Sequence, residues 1–332
     1  MRRRTFLLST AVTAAAGAGL TACVSRTNGG PAGQTSGSAT AAPILGSTAA
    51  SSLAPQSVTP CTPAPGRAPG PAFAVGRRDL SFDRGADRPL PTRVWYPAIG
   101  TAPSSPAPVD GAPPATGRFP LIMFSHGLTS SPDDFAALLS RWAQAGFVVV
   151  APTFPHTSYG AAEFDSADIA NQPADVRHVL DRLPALTGDP LSAIIDPDRL
   201  AAAGHSGGGI TTVGLFSAER DERLKAGMVL AGTDFRGTPF AGPAAAMLFV
   251  HGRDDDTVSY RAGHTVFEAV PWSRAMLSIT AGGHVITSAD FEAITGTSIE
   301  FWRWSLYGDA AAKGRIPAAA AVGGAATLEN HL

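Results

Sequence analysis

The stretch Gly204-His205-Ser206-Gly207-Gly208 sets one hydroxyl among glycines, after the apolar run Leu200 to Ala203 and before an apolar helical pattern that starts at Ile210. A serine in a G-x-S-x-G turn between strand and helix is displayed on a strained backbone. Its neighbours must be nearly free of side chains so that the two elements can pack closely. Amides at the start of the following helix, with the positive end of its dipole, favour a developing oxyanion. The chemistry that fits is nucleophilic: Ser206 attacks a carbonyl, and it needs a base to take its proton and an acid to orient that base.

At such a turn the chain order is serine, acid, histidine. His251, His264, His284 and His331 follow Ser206. His251 ends a strand, His264 lies in a helical pattern and His331 is in the tail. His284, in Ala281-Gly282-Gly283-His284, sits on a glycine loop after the last strand of the alternating series and is the favoured base. The acid comes from Asp254, Asp255 and Asp256 in "FVHGRDDDTVSY". Three adjacent carboxylates cannot all face one imidazole; Asp255 is preferred over Asp256, with Asp234 a distant third. The backbone amides of Leu128, in Ser125-His126-Gly127-Leu128, and of Gly207 are the expected oxyanion donors. His126 reads as a support for that loop.

These residues need a scaffold that brings strand ends together. Residues 76–82 and 92–96 read as strands joined by a charged turn. Then come a buried strand at 121–124, a helix at 133–145 closed by Gly146, and a strand at 147–150. The alternation continues with a helix at 169–186, a strand at 200–203, a helix at 210–217, strands at 228–231 and 247–250, a helix at 260–270, a strand at 275–279 and a helix at 288–306. Apolar strands alternating with helices predict an α/β fold, a doubly wound, mostly parallel sheet with helices on both faces. Too few residues separate Ala231 from Met247 for a large lid domain, so the cleft should be open. Phe154, His156, Tyr159 and Phe235 follow strands on the same face and are candidate substrate contacts.

The segments "PLPTRVWYPA", "FPLIMFSHGLTSS", "GHSGG", "HGRDDDTVSY" and "GGH" together resemble the dienelactone-hydrolase-like serine esterases of the α/β-hydrolase superfamily. These are close to platelet-activating-factor acetylhydrolases and similar to lidless polyester hydrolases and cutinases. The likeness covers Val75 to about Gly308. It implies hydrolysis of carboxylic esters, small, lipid or polymeric, through an acyl-enzyme, with no cofactor and no metal. Dienelactone hydrolases themselves use cysteine where this chain has Ser206, so their substrate is not implied. The same residues would also serve acyl transfer to an alcohol or amine, and a binding lipoprotein on an inactive hydrolase scaffold is the reading from outside catalysis.

The ends of the chain carry other signals. Arg2, Arg3 and Arg4 precede an apolar stretch too short to span a bilayer as a mature helix, and residues 1–23 read as an export signal of the twin-arginine kind. Leu20-Thr21-Ala22-Cys23 resembles a lipobox, making Cys23 the lipidated first residue of an extracytoplasmic, membrane-anchored protein. Of the 49 residues from 24 to 72, 38 are Ala, Gly, Pro, Ser or Thr, a composition expected to form a disordered tether. The catalytic domain is then 73–308, and the Ala/Gly-rich tail 309–332 is weakly specified. A formal charge of −2 without a basic patch speaks against nucleic acid as a partner. With one of its two cysteines in the lipobox and Cys61 in the tether, no disulfide or zinc site is expected.

Overall fold

A computed structural model describes residues 58–332, except 235, 236 and 238. Strands β1 (Ala74–Asp83) and β2 (Pro89–Ala98) form a hairpin, with a two-residue strand β3 (Val109–Asp110) beside β1. There follow β4 (Phe119–Ser125), α1 (Ala136–Gln144), β5 (Val148–Pro152), α2 (Gln172–Arg182) and a short α3 (Pro190–Ile194). Next come β6 (Ile195–His205), α4 (Gly207–Leu215), β7 (Leu224–Leu230), β8 (Ala246–Gly252), α5 (Tyr260–Ala269) and β9 (Arg274–Ile279). The chain ends with α6 (Phe291–Tyr307), α7 (Ala310–Ala320) and β10 (Ala326–His331).

One ten-stranded sheet runs in the order β10-β9-β8-β7-β6-β4-β5-β2-β1-β3. Its centre, from β5 through β4, β6, β7 and β8 to β9, is parallel, whereas β2 and β10 close its ends antiparallel. All seven residues of β4, FPLIMFS, and all five of β5, VVVAP, are buried, as strands covered on both faces must be. In β6 the core residues shrink to Ala201, Ala202 and Ala203, all but inaccessible. Helix α1 turns Leu138, Leu139 and Trp142 onto the sheet. It stops at Gly146, whose φ of 103° lies in the region that favours glycine. On the same face Trp142 donates from Nε1 to Ser298 Oγ of α6 at 2.9 Å and meets Trp302 edge-on.

The folded unit is larger than residues 73–308. Among the described residues of the expected tether, Thr59 bridges to Trp272, the Cys61 amide donates to Ser273 Oγ and the Gly66 amide to the Gly308 carbonyl. A segment poor in large side chains is held here by backbone bonds and close approach. A β-carbon at Gly308, where φ is 70°, would stand 1.8 Å from the Ala64 carbonyl oxygen. Cys61 is a free thiol, half-buried, and desolvation raises its pKa. Residues 24–57, like Cys23, lie outside the described residues.

The tail is equally well built. Asp309 caps α7 by accepting from the Ala311 and Ala312 amides, so the alanines that lack an apolar pattern express their helix propensity instead. Residues Ala326 to His331 then pair antiparallel with β9 along its open edge. Among the described residues no helix is long and apolar enough to cross a membrane.

Candidate active site

The serine sits where β6 hands over to α4. Ser206 has φ 55° and ψ −118°, a conformation unusual for a side-chain-bearing residue. The glycines explain how the turn closes. A β-carbon at Gly204 would lie 2.1 Å from the Gly208 carbonyl oxygen, and one at Gly208 would lie 1.9 Å from that of Ser125. A β-carbon at Gly209 would stand 3.0 Å from Gly232 Cα, which gives this fourth glycine its reason: α4 lies directly on the chain leaving β7.

His284 and Asp255 arrive from the loops after β9 and β8. His284 Nε2 is 2.9 Å from Ser206 Oγ, and its Nδ1 is 2.8 Å from Asp255 Oδ2. The other carboxylate oxygen, Oδ1, accepts from the amides of Thr257 at 2.9 Å and Val258 at 2.8 Å. Burial pushes the Asp255 pKa up, but the bonds from His284 and from these two amides outweigh it and hold the carboxyl below its ordinary value. Asp256 is exposed on the turn and bonded to the Thr257 hydroxyl. Asp254 is exposed too, and its amide donates to the Gly282 carbonyl, which ties the two loops together.

The loop after β4 passes over the serine. A β-carbon at Gly127 would be 3.1 Å from Ser206 Cβ, and one at Gly207 would be 3.5 Å from the Leu128 nitrogen. Leu128 thus lies against Gly207, and the Leu128 N–H finds no protein acceptor among the described residues. His126 braces this loop. Its Nε2 accepts from the Phe154 amide at 3.1 Å, so its Nδ1–H donates to the Gly127 carbonyl at 2.8 Å. Thr129, at φ 52°, donates its hydroxyl to the Leu128 carbonyl and its amide to the Thr157 carbonyl. Beneath Gly207 lies Ile169. It follows Asp168, which is anchored to buried Arg88 through two bonds of 2.8 and 2.9 Å.

His205 supports the base. Its Nε2–H donates to the His284 carbonyl at 2.7 Å, and its ring lies between those of His284 and Phe135. Burial pushes its pKa down to about 4, so the ring is neutral at pH 7. Although three histidines and a carboxylate gather here, no group of three or more His, Cys, Asp or Glu among the described residues is placed to hold a metal.

Ser206 and His284 open onto a cleft of about 730 Å³. Its walls are Phe135, Ala137 and Leu138 from the start of α1, Val285 and Ile286 after His284, and Phe291 at the start of α6. Asp134 and Glu292 stand at its edge, and among the described residues no lysine or arginine lines it. The loop from β7 to β8, residues 231–245, carries no helix among its described residues. Of the four expected aromatic contacts, three fall elsewhere. Phe154 is fully buried against the His126 ring, so it serves the loop rather than the cleft. His156 is turned to the Glu163 carbonyl. Tyr159 is 81% exposed, outside the cleft, although its amide bonds to the Ser130 carbonyl at the rim. Phe235 lies outside the described residues. Sequence reasoning missed Phe135, Leu138 and Phe291, because the apolar stripe of a helix does not announce that its first turn overhangs a cleft.

The architecture is that of the α/β hydrolases, and comparison with known proteins agrees. The chlorophyllase family model matches residues 81–242, a span that contains Ser206 and both expected oxyanion donors but stops short of Asp255 and His284. A protein of Bacillus subtilis (strain 168), "Putative esterase YitV", is 31% identical over 116 residues. That match covers 34% of this chain and 45% of the relative. A solved ferulic acid esterase from Streptomyces cinnamoneus superposes with a TM-score of 0.63 at 21% identity, covering 80% of this chain and all of that one. At that identity the likeness speaks to the fold. The chain has the α/β-hydrolase fold, and its resemblances are to esterases.

Proposed function

We propose that the protein is a serine carboxylic-ester hydrolase that works through an acyl-enzyme. The observation that carries this reading is the unbroken series Asp255–His284–Ser206, with hydrogen bonds of 2.8 and 2.9 Å, ending at an open cleft. As Ser206 Oγ forms its bond to the ester carbonyl, its proton passes to His284 Nε2. The amides of Leu128 and Gly207 take up the charge on the carbonyl oxygen. Collapse of the tetrahedral intermediate breaks the bond to the alcohol, which leaves with the proton from His284. Water then attacks the acyl-serine by the same route in reverse. Asp255, held as a carboxylate, keeps the Nδ1–H tautomer in place and stabilises the imidazolium.

The esterase names of the similar proteins support the same reaction class. The apolar walls and two edge carboxylates favour neutral esters with an apolar acyl or ring portion, and the absence of a lid over the described part of the cleft favours bulky or polymeric ones. Residues 1–23 support export and attachment through a lipid on Cys23, which metabolic labelling of the wild type and of Cys23→Ala with a fatty acid would test. For the reaction itself, Ser206→Ala should lose at least about 10³-fold in turnover of a p-nitrophenyl ester while melting like the wild type. Retained turnover would remove Ser206 from the mechanism.

A further inference from the structure

Asp255 meets two imidazoles, and the reaction described above uses only one. His251, the last residue but one of β8, is 2% exposed. Its Nε2 lies 2.8 Å from the Val258 carbonyl oxygen and 3.2 Å from Asp255 Oδ2, the oxygen that also receives His284. Both neighbours of this nitrogen are acceptors, so Nε2 carries the proton. Nδ1 faces α5, where a β-carbon on Gly263 would stand 2.3 Å away; only glycine lets the helix lie on the ring. The Tyr260 ring meets it edge-on at 5.9 Å, itself fixed by a hydroxyl contact to Ser278 Oγ at 2.7 Å.

We propose that His251 is a positioning residue for the reaction: a permanent N–H donor that locks the carboxylate loop and shares its proton with Asp255 Oδ2. The proposal rests on the reading of Ser206, His284 and Asp255 as the reacting series. The loop from Asp255 to Val258 is gripped from two directions. From within, the Val258 amide binds Oδ1; from β8, His251 takes the Val258 carbonyl. Two amides hold Oδ1 and His284 meets Oδ2, and the second imidazole stands 3.2 Å from Oδ2 on another side. A donor on Oδ2 also draws charge from the oxygen that faces His284, which tempers how strongly the imidazolium is held.

The titratable groups facing His251 are Asp255 on its own loop, His284 across it and Tyr260 from α5, with His205 beyond His284. Burial is the largest influence and keeps its pKa below the ordinary imidazole value, against the pull of Asp255. Donation from Nε2 does not depend on that shift, because the neutral Nε2–H ring and the imidazolium both carry a proton on Nε2.

The test compares the wild type with His251→Phe, which keeps a ring and loses the donor, and with His251→Gln, which returns an N–H at similar reach. The Phe variant should lose about tenfold in kcat with KM within about twofold, the worth of one hydrogen bond. The acid limb of its kcat/KM profile should move to higher pH by about half a unit, because an uncovered Oδ2 holds the imidazolium more tightly. Gln should restore most of both. In a Ser206→Ala background the low-field proton resonance of His284 Nδ1 should shift or broaden on adding His251→Phe, a readout that needs no turnover. A folded Phe variant with unchanged kcat, acid limb and resonance overturns the proposal and leaves the serine mechanism standing. Should Phe fail to fold, His251→Asn, whose amide falls short of Oδ2, takes its place; Asn and Gln variants alike in kcat and acid limb overturn it as well. Undiminished turnover by Ser206→Ala alone would instead break the underlying reading, whatever the resonance shows.

Discussion

The two sides of the reacting hydroxyl are held by different physics. On the serine side the restraint is steric. Gly204, Gly208 and Gly209 let β6, α4 and the loops after β4 and β7 approach until a single methyl would collide with backbone oxygen or carbon. On the acid–base side the restraint is a set of directed hydrogen bonds: two amides and the His284 imidazole on Asp255, the His251 imidazole on the Val258 carbonyl and 3.2 Å from Asp255, and the His205 imidazole on the His284 carbonyl. A close-packed turn fails when something is added, whereas a hydrogen-bonded loop fails when a donor is removed. The first cannot adjust, because its limiting atoms are backbone. The second leaves the base free to change its charge.

Substitutions can break this contrast. The largest effect is expected from Gly208→Ala, whose methyl meets the Ser125 carbonyl at 1.9 Å. It should cost at least about 3 kcal/mol in a denaturant titration or prevent folding, because neither contacting segment can yield. On the opposite side, Asp255→Asn should leave the unfolding free energy from that titration within about 1 kcal/mol of the wild type yet lower kcat by about 10³- to 10⁴-fold. It misdirects the His284 tautomer without adding bulk. A Gly208→Ala protein of normal stability would dissolve the contrast from one side, and an active Asp255→Asn from the other.

A pH titration of stability sharpens the comparison further. The His205 pKa is pushed down to about 4 by burial, although its bond to the His284 carbonyl works the other way. In the unfolded chain it returns to about 6.5. The folded state therefore binds fewer protons between these values. Its stability is full above pH 6.5 and declines as pH falls toward 4, by up to roughly 3 kcal/mol from this group. Stability curves from pH 7 to pH 4 should fall less steeply in His205→Gln, which keeps a donor for the His284 carbonyl. The decline should persist in part, since His126 and His251 are shifted in the same direction by burial. Equal slopes in variant and wild type would refute this account of His205. The smallest effect is expected at Gly207. A β-carbon there meets the flexible end of Ile169 at 3.1 Å, so Gly207→Ala should cost under about 1 kcal/mol in the same denaturant titration.

The same division explains what could be read from the chain alone. The glycine-flanked serine, the carboxylate three residues after Gly252 and the histidine on a glycine loop are local patterns, and the structure brings those three side chains within hydrogen-bond reach of one another. Strand positions followed from apolar runs such as Leu121 to Phe124. The cleft walls did not, because Phe135 and Leu138 belong to a helix stripe that also faces the core. Phe154 misled for the converse reason: an aromatic after a strand on the reacting face is as able to pack under a loop as over a substrate. His251 read only as the end of a strand, since its partners Val258 and Asp255 are defined only by the turn between them. Residues 58–72 and 309–332 lacked periodicity because they dock through backbone bonds, capping and the edge of β9, none of which leaves an apolar pattern.

The central claim is that Ser206 carries the acyl group. Its most direct test is to react the wild-type protein with a fluorophosphonate and locate the adduct by peptide mass spectrometry. One phosphonyl group per chain on the peptide containing Ser206, prevented by prior saturation with a slowly hydrolysed ester and reduced strongly in His284→Ala, is the expected result. An adduct on another residue, or no adduct in a protein that still turns over esters, would contradict it.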